Sequence, residues 1–189
     1  MTIISTPSET EVRGRAAELY AEDIADQGFV AGHTRVLSLN PEAYDAWERL
    51  IGAIAGPMDK RRYELITLAA AHGARSRHCR LAHGRKTLRY IGEDELVRIA
   101  RDYRTAGLSD AEVAMMEFAE QVSIDASAMT DADSRRLREV GFSDREIVDI
   151  TLAAAARNYY SRAVQALAIE VDETPGISDE LHDALVAGI

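Results

Sequence analysis

The stretch DKRRYELITLAAAHGARSRHCRLAHGRKTLRYIG, residues 59–92, decides how this chain reads. Asp59 is a helix-capping residue, and the segment it opens, KRRYELITLAAAH, is rich in helix formers and ends at Gly73. Ser76 is a second capping residue, and the helix it opens runs to about Tyr90, before Gly92. The same punctuation extends outward. RGRAAELYAEDIAD forms a first amphipathic segment that stops before Gly28. Asn40-Pro41 starts a helix through Trp47 to about Ala55, broken by Gly56-Pro57. Ser109 with Glu112 and Ser143 with Glu146 have capping-box spacing, and Thr130 with Asp133 is a weaker version. The long run from Asp144 to Asp172 is followed by Thr174-Pro175-Gly176 and a short terminal helix. No stretch alternates with period two over any length. The chain is therefore expected to be all-α, with about eight helices: an N-terminal tail over 1–12 and one domain over 13–189.

ITLAAA occurs at residues 66–71 and again at 150–155, an offset of 84. The echo suggests two related helical units, a core motif over 59–92 and a pseudo-repeat over 144–171. In that register Cys79 aligns with Ala163 and His83 with Leu167, which assigns the chemistry to the first unit.

Composition narrows the function classes. The 189 residues carry a net charge of −10, which argues against a general role in gripping nucleic acid or an anionic membrane. The first residues, MTIISTPSETEV, lack the basic and apolar regions of a signal peptide, and no apolar run approaches the length of a membrane span. Cys79 is the single cysteine, which rules out a disulfide framework and fits a reducing, cytoplasmic location.

The surroundings of Cys79 point to chemistry. With Ser76 as cap, Arg77, His78 and Cys79 fill the first helical turn, where free amides and the helix dipole favour an anion. No acidic residue lies between Glu64 and Glu93, whereas Arg75, Arg77, Arg80, Arg85, Lys86 and Arg89 do. That local positive field favours thiolate and suits an anionic substrate, although arginines on a solvated helix face have the same pattern. His83 follows Cys79 by four residues on the same helical face, in position to exchange protons near the thiol. His78 points elsewhere, toward the site entrance or Glu64. An inert buried cysteine beside a surface histidine is the bland alternative. His72, His78, Cys79 and His83 are suitable zinc ligand types, but only Cys79 and His83 have helical spacing and His72 lies across Gly73, so no metal is assigned. Asn158, Tyr159, Tyr160 and Trp47 read as core or pocket lining, and His33 and His182 receive no role.

ELITLAAAHGARSRHCRLAHGRKTLRYIG, Glu64 to Gly92, resembles the core of the AhpD-like alkylhydroperoxidase branch of the carboxymuconolactone decarboxylase family. That core reads Glu, eleven residues, Cys-x-x-Cys, three residues, His. Glu64, Ser76, Cys79 and His83 fall at the matching positions without a gap, and His78 matches a histidine some members carry before the second cysteine. The likeness is looser from about Asn40 to Asp172. The resemblance implies an AhpD-like helical fold, a homo-oligomer, no cofactor, and Cys79 as the thiol that attacks peroxide, with His83 and Glu64 moving protons. Ser76 departs from the pattern: it stands where the resolving cysteine belongs, and a hydroxyl forms no disulfide. The expected activity is therefore a single-cysteine, thiol-dependent peroxidase whose sulfenic acid is resolved by an external thiol or a partner. Two alternatives remain open. One is a cofactor-independent lyase or isomerase of carboxymuconolactone-decarboxylase type, using Glu64 and His83 as acid and base. The other is a non-catalytic oligomeric helical module.

Overall fold

The computed structural model describes residues 3–189, and among these the regular structure is entirely helical. The elements are α1 (Gly14–Gln27), α2 (Gly32–Leu37), α3 (Pro41–Ala55), α4 (Lys60–Gly73), α5 (Arg77–Thr87), α6 (Glu93–Asp102), α7 (Asp110–Asp125), a 3₁₀ turn (Ala126–Ala128), α8 (Asp131–Glu139), α9 (Asp144–Ala166) and α10 (Asp179–Val186). The all-α expectation holds. The ten α-helices among the described residues are near the expected count of about eight, and the short α2 has no counterpart in the sequence reading.

The caps act as the sequence indicates. Asn40, Asp59 and Ser76 each accept a hydrogen bond from an amide three residues on, as does Ser178 at the start of α10, a cap the sequence reading did not single out. Ser109–Glu112, Thr130–Asp133 and Ser143–Glu146 form reciprocal capping boxes.

α4 is the hub. From Tyr63 to Ala71 every residue is buried, so this helix has no solvated face along that length. It packs against α5, α7 and α9, while α10 closes over α5 and α6 and α3 lies on α9. Leu65, Ile66 and Leu68 are fully buried, each contributing about 1.5–3 kcal/mol relative to exposure. Val12, Tyr20 and Val30 form a separate small cluster under α1.

Gly73, expected to stop α4, is in fact its last helical residue, and close packing accounts for it. A Cβ there would lie 2.5 Å from the Glu120 carbonyl oxygen of α7. The turn itself is made by Arg75 at φ 54°, with its amide bonding His72 and the Ser76 amide bonding Ala71. α9 ends likewise, with Ala168 at φ 49°. The chain reverses there instead of continuing toward Asp172.

Arg80 is another departure from a solvated arginine face. It is 3% exposed and donates to the carbonyls of Leu68, Ala100 and Leu185, tying α5 to α4, α6 and α10. Burial pushes its pKa down to about 10, which leaves it charged at neutral pH. The two ITLAAA segments lie on α4 and α9, which pack together, and Arg62 is paired with Glu146 at 2.6 Å, across the same offset of 84 residues.

Candidate functional site

The turn at Arg75 sets the direction of α5 and buries its first turn. Ser76 Oγ accepts a hydrogen bond from the Cys79 amide at 3.4 Å, and both residues are fully buried. Two side chains of α9 approach the sulfur. Arg157 Nη1 donates to Cys79 Sγ at 3.8 Å, and Ser161 Oγ donates to it at 3.3 Å. Arg157 and Ser161 lie one helical turn apart and so present to the same side. Burial disfavours the Arg157 charge, but Cys79 and Tyr63 beside it outweigh that and hold its pKa above the ordinary value. The thiol thus sits under a buried, permanently charged guanidinium.

The second part of the site is a buried pair. His83 Nδ1 lies 2.7 Å from Glu64 Oε2, joining α5 to α4. Burial raises the Glu64 pKa to about 7, against the pull of Lys86, Arg157, Arg89 and Lys60. Burial, together with Arg157 and Lys86, drives the His83 pKa well below 6.5. At neutral pH the imidazole is therefore neutral and the carboxyl is near its midpoint, so this pair takes up or releases a proton in the physiological range.

Both parts open on one cavity of about 830 Å³. Its walls include Glu64, Cys79, His83 and Arg157, together with the aromatic faces of Trp47 and Tyr160. Those two rings stack at 5.2 Å. Tyr159 stacks on the other side of Trp47 at 5.3 Å but is 59% exposed, so it belongs to neither core nor cavity. Arg85, Lys86 and Arg89 contribute positive charge to the wall, and Glu22, Asp23 and Glu48 contribute negative charge elsewhere on it.

The structure brings together Cys79, His83 and Glu64 as cavity residues, whereas Ser76 acts as a helix cap outside the cavity wall. His78 also lines the cavity, but its ring packs edge-to-face on His33 at 5.0 Å, and the hydrogen-bond partner of Glu64 is His83. His33, given no role from sequence, is thus part of the site wall. His72 faces Glu120 instead, at 3.6 Å. Assigning the chemistry to the first unit alone does not match this arrangement, because Arg157 and Ser161 come from α9. A signal for Arg157 was present: it falls on the buried stripe Ile150, Ala153, Ala154, Arg157, a charge where the pattern calls for an apolar residue.

No family model matches the chain, and no curated protein is similar to it. Solved structures do match. The alkylhydroperoxidase AhpD core protein of Ralstonia eutropha JMP134, described as peroxidase-related, superposes with a TM-score of 0.78 at 22% identity, covering 98% of this chain and 97% of that one. A peroxidase-related protein from Silicibacter sp. TM1040 gives 0.80 at 21% identity, covering 93% and 95%. The debrominase Bmp8 gives 0.76 at 16% identity, covering 98% and 97%, and a variant of it with a cysteine replaced by alanine has been solved with 2,3,4-tribromopyrrole. The chain therefore has the AhpD-like helical fold. It shares that fold with peroxidase-related proteins and with a debrominase, so the fold does not by itself select a reaction.

Proposed function

We propose that this protein is a thiol-dependent oxidoreductase that reduces a peroxide with Cys79 alone. The observation that carries the reading is the placement of Cys79 Sγ beneath Arg157 and Ser161, in the wall of the cavity that also holds the Glu64–His83 pair. The sulfur, as thiolate stabilised by the guanidinium, attacks one peroxide oxygen. An S–O bond forms, the O–O bond breaks, and the leaving alkoxide takes a proton supplied through His83 and Glu64. The products are a sulfenic acid on Cys79 and an alcohol, or water from hydrogen peroxide. Two equivalents of an external thiol then restore the Cys79 thiol, releasing water and a disulfide. Ser76 supports this single-cysteine cycle by capping α5, and no second cysteine exists to resolve the sulfenic acid.

The raised pKa of Glu64 favours a second reading, acid–base catalysis by Glu64 and His83 on a substrate that never bonds to sulfur. One set of variants separates the two. The peroxidase reading expects steady-state peroxide consumption with a small thiol as reductant to vanish in Cys79→Ser and to fall in His83→Ala. Undiminished turnover in Cys79→Ser contradicts it.

A further inference from the structure

Outside the Cys79 and Glu64–His83 groups, the same cavity wall holds a second convergence of side chains. His33 comes from α2, His78 from the first turn of α5, and Asp172 from the irregular segment that follows α9. One ligand-type atom from each lies within 4.8 Å of the others. We propose that His33, His78 and Asp172 bind one divalent transition-metal ion of the zinc class, with the remaining coordination position open to the cavity.

Three observations converge on this. First, Nδ1 of His33 and Nδ1 of His78 are both buried and have no hydrogen-bond partner. Burying a polar nitrogen unpaired costs about 1–3 kcal/mol, so two adjacent orphans in one wall point to a ligand they share. Second, the geometry is within reach of coordination. Zinc bonds of about 2.0–2.2 Å set tetrahedral ligands roughly 3.4 Å apart, so movements of about 1 Å in rotatable side chains close the set. Third, the carboxylate is already oriented: the Gly32 amide, next to His33, donates to both oxygens of Asp172, at 3.2 and 3.1 Å. An outer hydrogen bond of this kind fixes a ligating carboxylate.

Two imidazole nitrogens and one carboxylate oxygen are borderline ligands that suit zinc-class ions over calcium or magnesium. Three protein ligands with one open position is the pattern of sites where a metal holds water or substrate. This inference does not rest on the peroxidase reading: none of its ligands is Cys79, Glu64 or His83.

The test is calorimetric titration of untagged, chelator-stripped full-length protein with Zn²⁺, paired with the visible spectrum of the Co²⁺-loaded protein. The expected result is one ion per chain, a four-coordinate Co²⁺ absorption pattern and no thiolate-to-cobalt band. His33→Ala and Asp172→Asn should each weaken binding by more than about tenfold, since even outer-sphere partners carry roughly 10–100-fold. Asp172→Asn keeps an oxygen to accept from Gly32, so it remains informative should His33→Ala fail to fold. Cys79→Ser and His72→Ala should leave the affinity unchanged. The proposal is overturned by absence of stoichiometric uptake, by binding that survives either ligand variant, or by binding that Cys79→Ser removes.

Discussion

Replacing Glu64 by glutamine makes the cost of its burial measurable. The unfolded chain titrates this carboxyl near the ordinary 4.5, whereas in the folded protein burial holds it at about 7. Between those values the folded state keeps a proton that the unfolded state has released, so this group's contribution to stability falls as pH rises through the window and is fully lost above it. At 1.36 kcal/mol per pH unit, the wild type loses about 3 kcal/mol, most of it between pH 5 and pH 8. Glutamine carries no titrating proton and preserves a hydrogen-bonding group 2.7 Å from His83. Urea unfolding of both proteins at several pH values, followed by far-ultraviolet circular dichroism, reads the difference, and titrations common to both cancel in it. Glu64→Gln should gain on the wild type from pH 5 to about pH 7 and level off by pH 8. A difference independent of pH would show that Glu64 ionises as an ordinary carboxyl. A variant that loses ground as pH rises, with the loss concentrated at the acid end, would show a Glu64 carboxyl held below its ordinary value, and would refute the account of a carboxyl raised by burial.

Other perturbations test other parts of the account. Arg157→Met removes the donor above Cys79 Sγ; with a hydrogen bond to a charged group worth about 1.5–3 kcal/mol, the rate of peroxide consumption should fall roughly tenfold or more, measured by stopped flow. Arg80→Met removes the side-chain donor to carbonyls in the last turns of α6 and α10, Ala100 and Leu185, and a third bond to Leu68; at about 1–3 kcal/mol for each of the first two, urea unfolding should show a loss of about 2 kcal/mol or more. Gly73→Ala places a methyl 2.5 Å from the Glu120 carbonyl oxygen, backbone that moves only if α7 moves. It should cost about 1–3 kcal/mol by overpacking. Gly84→Ala meets only the flexible end of Leu185, and thermal unfolding should show it to be the milder change.

Much of the fold was legible because its signals are local. Capping residues at Asn40, Asp59, Ser76, Ser109, Thr130 and Ser143 mark six helix starts, and each side chain accepts from a backbone amide of the first turn. The resemblance of residues 64–92 to the AhpD-like core implied a shared proton-relay role for Glu64 and His83, and the two side chains lie 2.7 Å apart. What escaped is non-local or lacks a local signal. α2 is six residues long and its N-cap, Ala31, offers no side-chain acceptor, so nothing marks its start. His33 was invisible as part of a site for that reason. The reversal at Ala168 uses a left-handed conformation without glycine, which hides the return of Asp172 toward α2. Arg157 and Ser161 meet Cys79 across 78 and 82 residues, a juxtaposition fixed by the packing of α9 on α4 and α5. The helix stop read at Gly73 belongs to Arg75, because glycine serves close packing there as well as it serves turns.

In the proposed reaction the sulfur of Cys79 takes an oxygen atom from peroxide. The most direct measurement is mass spectrometry of the folded protein after one equivalent of an alkyl hydroperoxide, with a sulfenic-acid trap present and no reductant. The account predicts a single trapped adduct on the peptide bearing Cys79, absent from Cys79→Ser and slowed in Arg157→Met. An unmodified Cys79 with the peroxide intact would contradict it, and would move the site's chemistry to Glu64 and His83.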